Sequence, residues 1–516
     1  MIKNIKSKIS TVIIVCTLFF ASCEKSDNYM ATGNDEIHLF IWRAMNNYYL
    51  WQPNVPDLSD TRFTNIGQLY SEYSNFSSPR DVFESLRYQP GVVDRFSWIV
   101  DDYVALENSF QGINLSNGME FGLVRYDSDA SKVFGYVRYV IPGSDAEAQN
   151  IERGMLFSEV DGVQLTESNY RDLLFDDSTN YSITLADFNG GNPLSNSTII
   201  SLTKTQLQEN PVAIAKTIQE GNNTIGYLLY NQFSSSFDSN LNAAFATFQS
   251  ENITDLIIDL RYNGGGSINT ATYLGAMVTG QFNGQLFSKE QWNTKIQELL
   301  DASIFENNFT NEIVKRDQNQ NIILQEPINS LNLNRVYFIT TGSSASASEL
   351  VMNSLSSYIN VSSVGKKTVG KVQGSVTLYD SDNYTRTGEN LASNHNWALQ
   401  PLVLEIKNKD NDLNANVEKN LRRTMFKQHK KTPNAKIYFG YVIATNKKSP
   451  QSYDLSGTIV VDGVKHRFGA YKQKASGKGK MAEGTEFYTF YRVELDDGVT
   501  GAPAADTSFN PSELEA

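Results

Sequence analysis

The chain has 516 residues, 40% of them hydrophobic and 20% charged, with a net charge of −13. That hydrophobic share speaks against a disordered chain, the length exceeds what one ordinary core holds, and the acidic balance speaks against nucleic acid as partner.

Residues 1–22 read as an export signal. Lys3, Lys6 and Lys8 form a basic start, Ser10 to Phe20 an apolar stretch short for a bilayer span, and Ala21-Ser22 supply small residues before Cys23. The pattern resembles a bacterial lipoprotein signal, with Phe20 where leucine is usual. The resemblance implies that Cys23 becomes the lipidated first residue and that the protein sits in the cell envelope as an outer-membrane lipoprotein, facing the periplasm or the surface; a plain secretory signal is the alternative. The only other cysteine, Cys16, lies inside the signal, so the mature chain is expected to carry no disulfide. Residues 23–36 are polar and read as a tether, and no later segment is apolar enough to span a membrane.

Residues 37–103 open with Ile37, Leu39, Phe40, Trp42, Met45, Tyr48 and Tyr49. That spacing predicts an amphipathic helix, ended by Trp51, Pro53 and Pro56, in a small helical module. Residues 104–207 alternate strand-like runs with turns: Glu120 to Val124, Gly135 to Ile141, and Gly154 to Val163. Phe121-Gly122-Leu123 sets a glycine between bulky apolar residues, where loop N–H groups can face a peptide carboxylate and a strand edge can add an extended peptide. The block resembles a PDZ domain, with Pro142 to Glu147 as a turn into a helix and Val160-Asp161-Gly162 as a late strand and turn. The alternative is a β-rich spacer without a ligand.

Residues 208–410 alternate strands with helices. Ile225 to Tyr230, Leu256 to Leu260 and Arg335 to Thr341 are buried-strand runs, and Leu241 to Phe248 between the first two has helical spacing, which predicts an α/β layer with parallel strands. Asp259-Leu260-Arg261-Tyr262-Asn263-Gly264-Gly265-Gly266 closes the second strand at the end where ligands bind in such sheets, but no Lys-Ser or Lys-Thr pair follows to make a phosphate loop. After the third strand come Gly342-Ser343-Ser344-Ala345-Ser346-Ala347-Ser348-Glu349 and a helical pattern. A serine at a strand-to-helix turn stands where the N–H groups of a helix start can hold an oxyanion, and Gly370-Lys371 offers a lysine to deprotonate it.

These segments together resemble the tail-specific, or C-terminal processing, serine peptidases of family S41 in order and spacing, including a lysine 25 positions after Ser346. The likeness covers roughly residues 37–407. It implies a crotonase-like α/β catalytic domain, of the ClpP and enoyl-CoA hydratase type, behind a PDZ domain. It implies Ser346 as nucleophile, Lys371 as general base, and the N–H groups of Gly265 and Ala347 as oxyanion hole. It implies protein or peptide substrates with an exposed C-terminus and no cofactor. The lysine must be neutral to act, which requires burial; Val364, Val369 and Val372 supply apolar neighbours, and Lys366 and Lys367 add like charge. The glutamine that usually follows the lysine by four positions is Ser375 here, with a glutamine at Gln373, and either is placed to orient Lys371. Gly264 replaces the usual proline of the strand-end motif.

Other schemes are weaker. Ser363-Val364-Gly365-Lys366 followed by Ser381-Asp382-Asn383 matches penicillin-binding patterns, but Gly365 breaks the helix that motif needs. His395 offers a Ser-His alternative. His38, His429 and His466 are too scattered for a metal site. Residues 411–501 read as a β-rich region of unlegible role, with a basic run at Arg422 to Lys431 and strands over Tyr438 to Ala444, Gly457 to Val464 and Phe487 to Val493; 502–516 read as a disordered tail. The expectation is a multidomain α/β and β serine endopeptidase. Its rival is an inactive PDZ-type peptide-binding protein on a peptidase scaffold.

Overall fold

The computed structural model describes residues 33–413, apart from 177, 189–191 and 318–319, and three strands between 455 and 495. The export signal, Cys23, the basic run and the tail lie outside the described residues, as does the strand expected at Tyr438 to Ala444. Backbone contacts divide the chain into two compact units, 1–421 and 422–516. The expected helical, β-rich and α/β regions are thus parts of the first unit.

A five-stranded sheet forms its centre, in the order Val212–Glu220, Asn223–Tyr230, Asp255–Asp259, Arg335–Thr340, Asn360–Gly365. The first pair is antiparallel and the rest are parallel. Parallel strands covered on both faces need near-continuous apolar runs, and all five residues of Asp255–Asp259 are buried. Helices Asp238–Ser250, Ile268–Thr279 and Ala347–Ser356 are part of the same core. The first buries Leu241, Ala244, Phe245 and Phe248, the i, i+3, i+4, i+7 stripe that periodicity predicts. A four-stranded antiparallel sheet, Glu306–Asn308, Leu286–Trp292, Leu402–Lys407 and Gln373–Ser375, carries the chain just after Lys371.

The N-terminal helices Gly33–Tyr48, Ile66–Tyr73 and Pro79–Ser85 join this core. Ile37, Phe40, Ile41, Ala44, Met45 and Tyr48 are the buried face of the first, while Leu39 and Trp42 are half-buried beside it. The buried Asn293 ties it down: its Nδ2 donates to the carbonyls of Asn47 (2.8 Å) and Tyr49 (3.2 Å), and its Oδ1 caps helix Thr294–Leu299 by accepting from the Ile296 N–H (3.0 Å).

Residues 119–203 form a separate β-rich layer with its own core around Met119, Val137, Phe157 and Ile183. The sheet runs Met119–Arg125, Val133–Val140, Leu156–Val160, Asn180–Asp187, Leu194–Thr203. The Gly143-Ser144 turn leads into helix Asp145–Ala148 as expected, with Ser144 accepting from Glu147 N–H. Strand Met119–Arg125 pairs on one side only among the described residues, which leaves it an edge. In the second unit, strands Leu455–Val461, Val464–Lys474 and Glu486–Leu495 make an antiparallel sheet. The middle strand had no counterpart in the sequence reading, because lysine, histidine and arginine at positions 465–467 interrupt the apolar pattern that marks strands.

Asn293→Ala should remove about 2–4 kcal/mol of stability, by leaving the Asn47 carbonyl and a helix start unpaired and the Tyr49 carbonyl with the Gln52 N–H alone. The check is a lower urea midpoint at unchanged slope.

Candidate active site

The central strand Arg335–Thr340 ends in the turn Thr341–Ala345, and the helix Ala347–Ser356 starts at once after Ser346. Ser346 takes φ 56° and ψ −112°, a conformation that costs a non-glycine residue about 1–3 kcal/mol and persists only where surroundings enforce it. Its neighbours do so. The Ser344 hydroxyl donates to the Leu260 carbonyl (2.7 Å), the Ser348 hydroxyl to the Asn263 carbonyl (2.9 Å), and the Ala345 N–H to the same Asn263 oxygen (3.1 Å). Ser344 and Ser348 are fully buried with their hydroxyls committed to backbone, whereas Ser346 is partly exposed at the helix start.

The strand-end segment 259–266 is locked to this turn. Arg261 donates from Nε and Nη2 to the buried Asp259 carboxylate (2.7 Å at the shortest), which also accepts from the Tyr227 hydroxyl (2.8 Å). Gly265 has φ +109°, and a Cβ there would lie 2.7 Å from Ser346 Cβ and 3.0 Å from the Ala347 nitrogen; only glycine fits against the serine. The Gly265 N–H, read from sequence as an oxyanion donor, donates in this structure to Asn263 Oδ1 (2.9 Å). The Ala347 N–H has no acceptor among the described residues, as expected of the first turn of a helix.

Glu349 joins the serine to the lysine. Its buried carboxylate accepts from the Ser346 N–H (2.8 Å) and the Lys371 N–H (2.9 Å) on Oε2, and from the Gly370 N–H (2.7 Å) and the Thr368 hydroxyl (2.6 Å) on Oε1. The backbone nitrogens of Ser346 and Lys371 are therefore no further apart than the sum of 2.8 and 2.9 Å. Sequence reasoning gave Glu349 no role, although Ser346-Ala347-Ser348-Glu349 carries the capping-box spacing that returns a carboxylate to the helix start.

Burial lowers the Lys371 ammonium from its ordinary value, and the nearby Glu349 carboxylate opposes this without cancelling it. Lys366 and Lys367, expected to help by like charge, are exposed, so desolvation rather than repulsion is the cause. The Lys371 ammonium lies 5.4 Å from the centre of the Phe96 ring, and Arg95 donates to the Val369 carbonyl (3.3 Å). Both residues come from the N-terminal region, a contribution no local pattern signalled. Gln373 and Ser375 lie on the strand that follows, and among the described residues neither hydrogen-bonds Lys371.

His395 is committed elsewhere. Its Nδ1 accepts from the Trp397 N–H (3.1 Å), which leaves Nε2 to donate to Asp380 Oδ2 (3.0 Å). Neither nitrogen is free to take a serine proton. Ser363 lies on a strand, so the penicillin-binding pattern lacks its helix.

Of Phe121, Gly122 and Leu123, only Phe121 lines a cavity of about 360 Å³ beside the edge strand. Gly122 faces the Tyr136 ring, and Leu123 packs on the core of the β-rich layer.

The peptidase family S41 model matches residues 224–399, and the model of the S41 N-terminal domain matches residues 36–98. Residues 224–399 are thus an S41 peptidase domain, and residues 36–98 an S41 N-terminal domain. The S41 fold extends beyond those matches: a Bacteroides fragilis structure assigned to the S41 proteases aligns with TM-score 0.51 and 20% identity over 75% of this chain and 88% of that one. The photosystem II D1 C-terminal processing protease aligns with TM-score 0.43 and 16% identity over 75% and 92%. No curated protein matches the sequence.

Glu349→Ala should leave three backbone N–H groups without an acceptor, at about 1–3 kcal/mol each. Hydrogen exchange at Gly370 and Lys371 should speed up roughly 100-fold.

Proposed function

We propose that this S41 chain is a serine endopeptidase that cleaves proteins near exposed C-terminal tails, with Ser346 as nucleophile and Lys371 as general base. The observation that carries the reading is the single carboxylate of Glu349 bonding the backbone of a strained, partly exposed serine and of a half-buried lysine. In the reaction the neutral Lys371 amine takes the Ser346 hydroxyl proton as Oγ attacks the scissile carbonyl. The Ala347 N–H stabilises the oxyanion, joined by the Gly265 N–H once it turns away from Asn263. The Lys371 ammonium then protonates the leaving amine, and water deprotonated by the same lysine releases the acyl group.

In the same reading the α/β layer is a crotonase-like catalytic domain and the β-rich layer is a PDZ-type module that captures the tail along the edge strand. Cys23 carries the lipid that holds the protein at the cell envelope, outer membrane included. Gln373 or Ser375 steadies Lys371 when substrate is bound. The rival, a peptide-binding scaffold without turnover, draws on one observation: the Gly265 N–H is occupied by Asn263.

The purified chain should cleave an unfolded protein bearing a free C-terminal tail. Ser346→Ala and Lys371→Ala should each lower the rate about 10⁴-fold, and His395→Ala should keep activity in whatever fraction folds. Equal rates for wild type and Ser346→Ala would establish the rival.

Activity should also depend on pH through the lysine. Because the folded-state value lies below the ordinary ~10.4, kcat/KM should rise with pH and level off below that value. The sign for stability is the same. Between the folded and unfolded values the unfolded chain binds more protons, so stability should rise with pH there, and Lys371→Met should abolish that increment.

A further inference from the structure

Outside the serine and lysine, a second cluster of chemical groups lines the cavity beside the edge strand Met119–Arg125. Two carboxylates from distant parts of the chain line it, Glu120 on the strand and Glu209 after strand Thr205–Gln208. Glu209 is fixed: its Oε1 accepts from the Tyr139 hydroxyl (3.1 Å) and from Asn231 Nδ2 (2.9 Å). The Glu120 carboxylate makes no hydrogen bond among the described residues. Met119, Phe121, Leu174 and Phe175 supply apolar walls.

The cavity's own lysine does not balance these charges. Lys204 donates its ammonium to the Asp176 carbonyl (2.8 Å), stands 3.7 Å from Asp176 Oδ1, and lies 5.4 Å from the Tyr181 ring. Arg138 sits near enough to Glu120 to favour its ionised form, but its guanidinium lies against the rings of Tyr136 and Tyr262 and lines no part of the cavity. The wall is therefore an apolar slot with two carboxylates and an open strand edge. An extended peptide can add to that edge through its main chain while alternate side chains enter the slot. A lysine or arginine suits it, with the stem along the apolar wall and the cation between the carboxylates.

The geometry points to a specificity subsite: the groove between the edge strand Met119–Arg125 and Leu174-Phe175 captures an extended substrate segment that carries a basic side chain, received by Glu120 and Glu209. The inference rests on the peptide-capture reading above and adds the chemistry of the captured residue. Burial and the neighbouring Glu209 push Glu120 up to about 7, and burial also raises Glu209. A pair held in this way gains from an entering cation, which relieves the repulsion between the two carboxylates.

The test uses the full chain with Ser346→Ala, so that bound peptide is not consumed. Fluorescein-labelled ten-residue peptides carry one lysine moved through their five C-terminal positions, with norleucine and glutamate versions as controls, and anisotropy at pH 8 gives Kd. At one position lysine should bind about tenfold tighter than norleucine, the size a charge-assisted contact supports, and glutamate weaker than both. Glu120→Gln and Glu209→Gln keep side-chain shape and should each reduce that ratio, with the double variant bringing it to about 1; melting temperature and circular dichroism verify folding. A ratio of 1 at every position overturns the inference, as does a tenfold ratio that survives in the folded double variant. Absence of any peptide binding also overturns it; cleavage of unfolded protein by wild type would then leave the Ser346–Lys371 reading standing without the groove.

Discussion

The arrangement around Ser346 depends on one buried anion. A carboxylate removed from water is costly unless its lone pairs are filled, and Glu349 fills them with three backbone N–H groups and one hydroxyl rather than with a cation. A direct ion pair to the Lys371 ammonium would have fixed the lysine in its charged form. Binding the lysine's backbone instead places the residue without neutralising the carboxylate at the amine. Glu349 still pulls the ammonium toward the charged state through space, and desolvation outweighs it. Position and basicity are thus controlled by different atoms of one residue.

That anion works only because the rest of the unit holds its donors in place. The helix geometry returns the side chain of Glu349 to the N–H of Ser346, three positions before it. The loop bearing Gly370 and Lys371 is held from the other side, where the Ile406 N–H donates to Val372 O (3.0 Å) and strand Gln373–Ser375 pairs with Leu402–Lys407. The N-terminal helices close the remaining side by delivering Phe96 and Arg95 through the turn at Asp94, whose Oδ1 accepts from Phe96 and Ser97 N–H (3.2 and 2.9 Å). The helical region is therefore part of the lysine's environment. Its packing against Lys371 contributes to the desolvation that lowers the ammonium.

Much of this was legible in the sequence, and the limits have physical causes. The strands Asn223–Tyr230, Asp255–Asp259 and Arg335–Thr340 announce themselves because parallel strands buried on both faces need unbroken apolar runs. The first helix shows its 3.6-residue stripe. Ser346 and Lys371 stood out through spacing and likeness. The role of Glu349 did not, because three of its four bonds close across the Thr368–Lys371 loop, although the serine-to-glutamate spacing held the fourth. Phe96 and the pair Glu120 and Glu209 come together only through packing of distant segments. The Gly265 N–H was readable in principle, since an asparagine two residues before a glycine often turns its side chain back onto the backbone.

The cavity and the serine turn are also mechanically continuous. Glu209 bonds Asn231, the residue that follows strand Asn223–Tyr230, and the Tyr230 carbonyl accepts from Asn263 Nδ2 (2.9 Å). Asn263 in turn receives Ala345 and Ser348 on its carbonyl and the Gly265 N–H on its side chain. Beside this path the Tyr139 and Tyr262 rings pack at 5.6 Å. Contiguity of this kind does not by itself transmit a signal, which requires an element with two states.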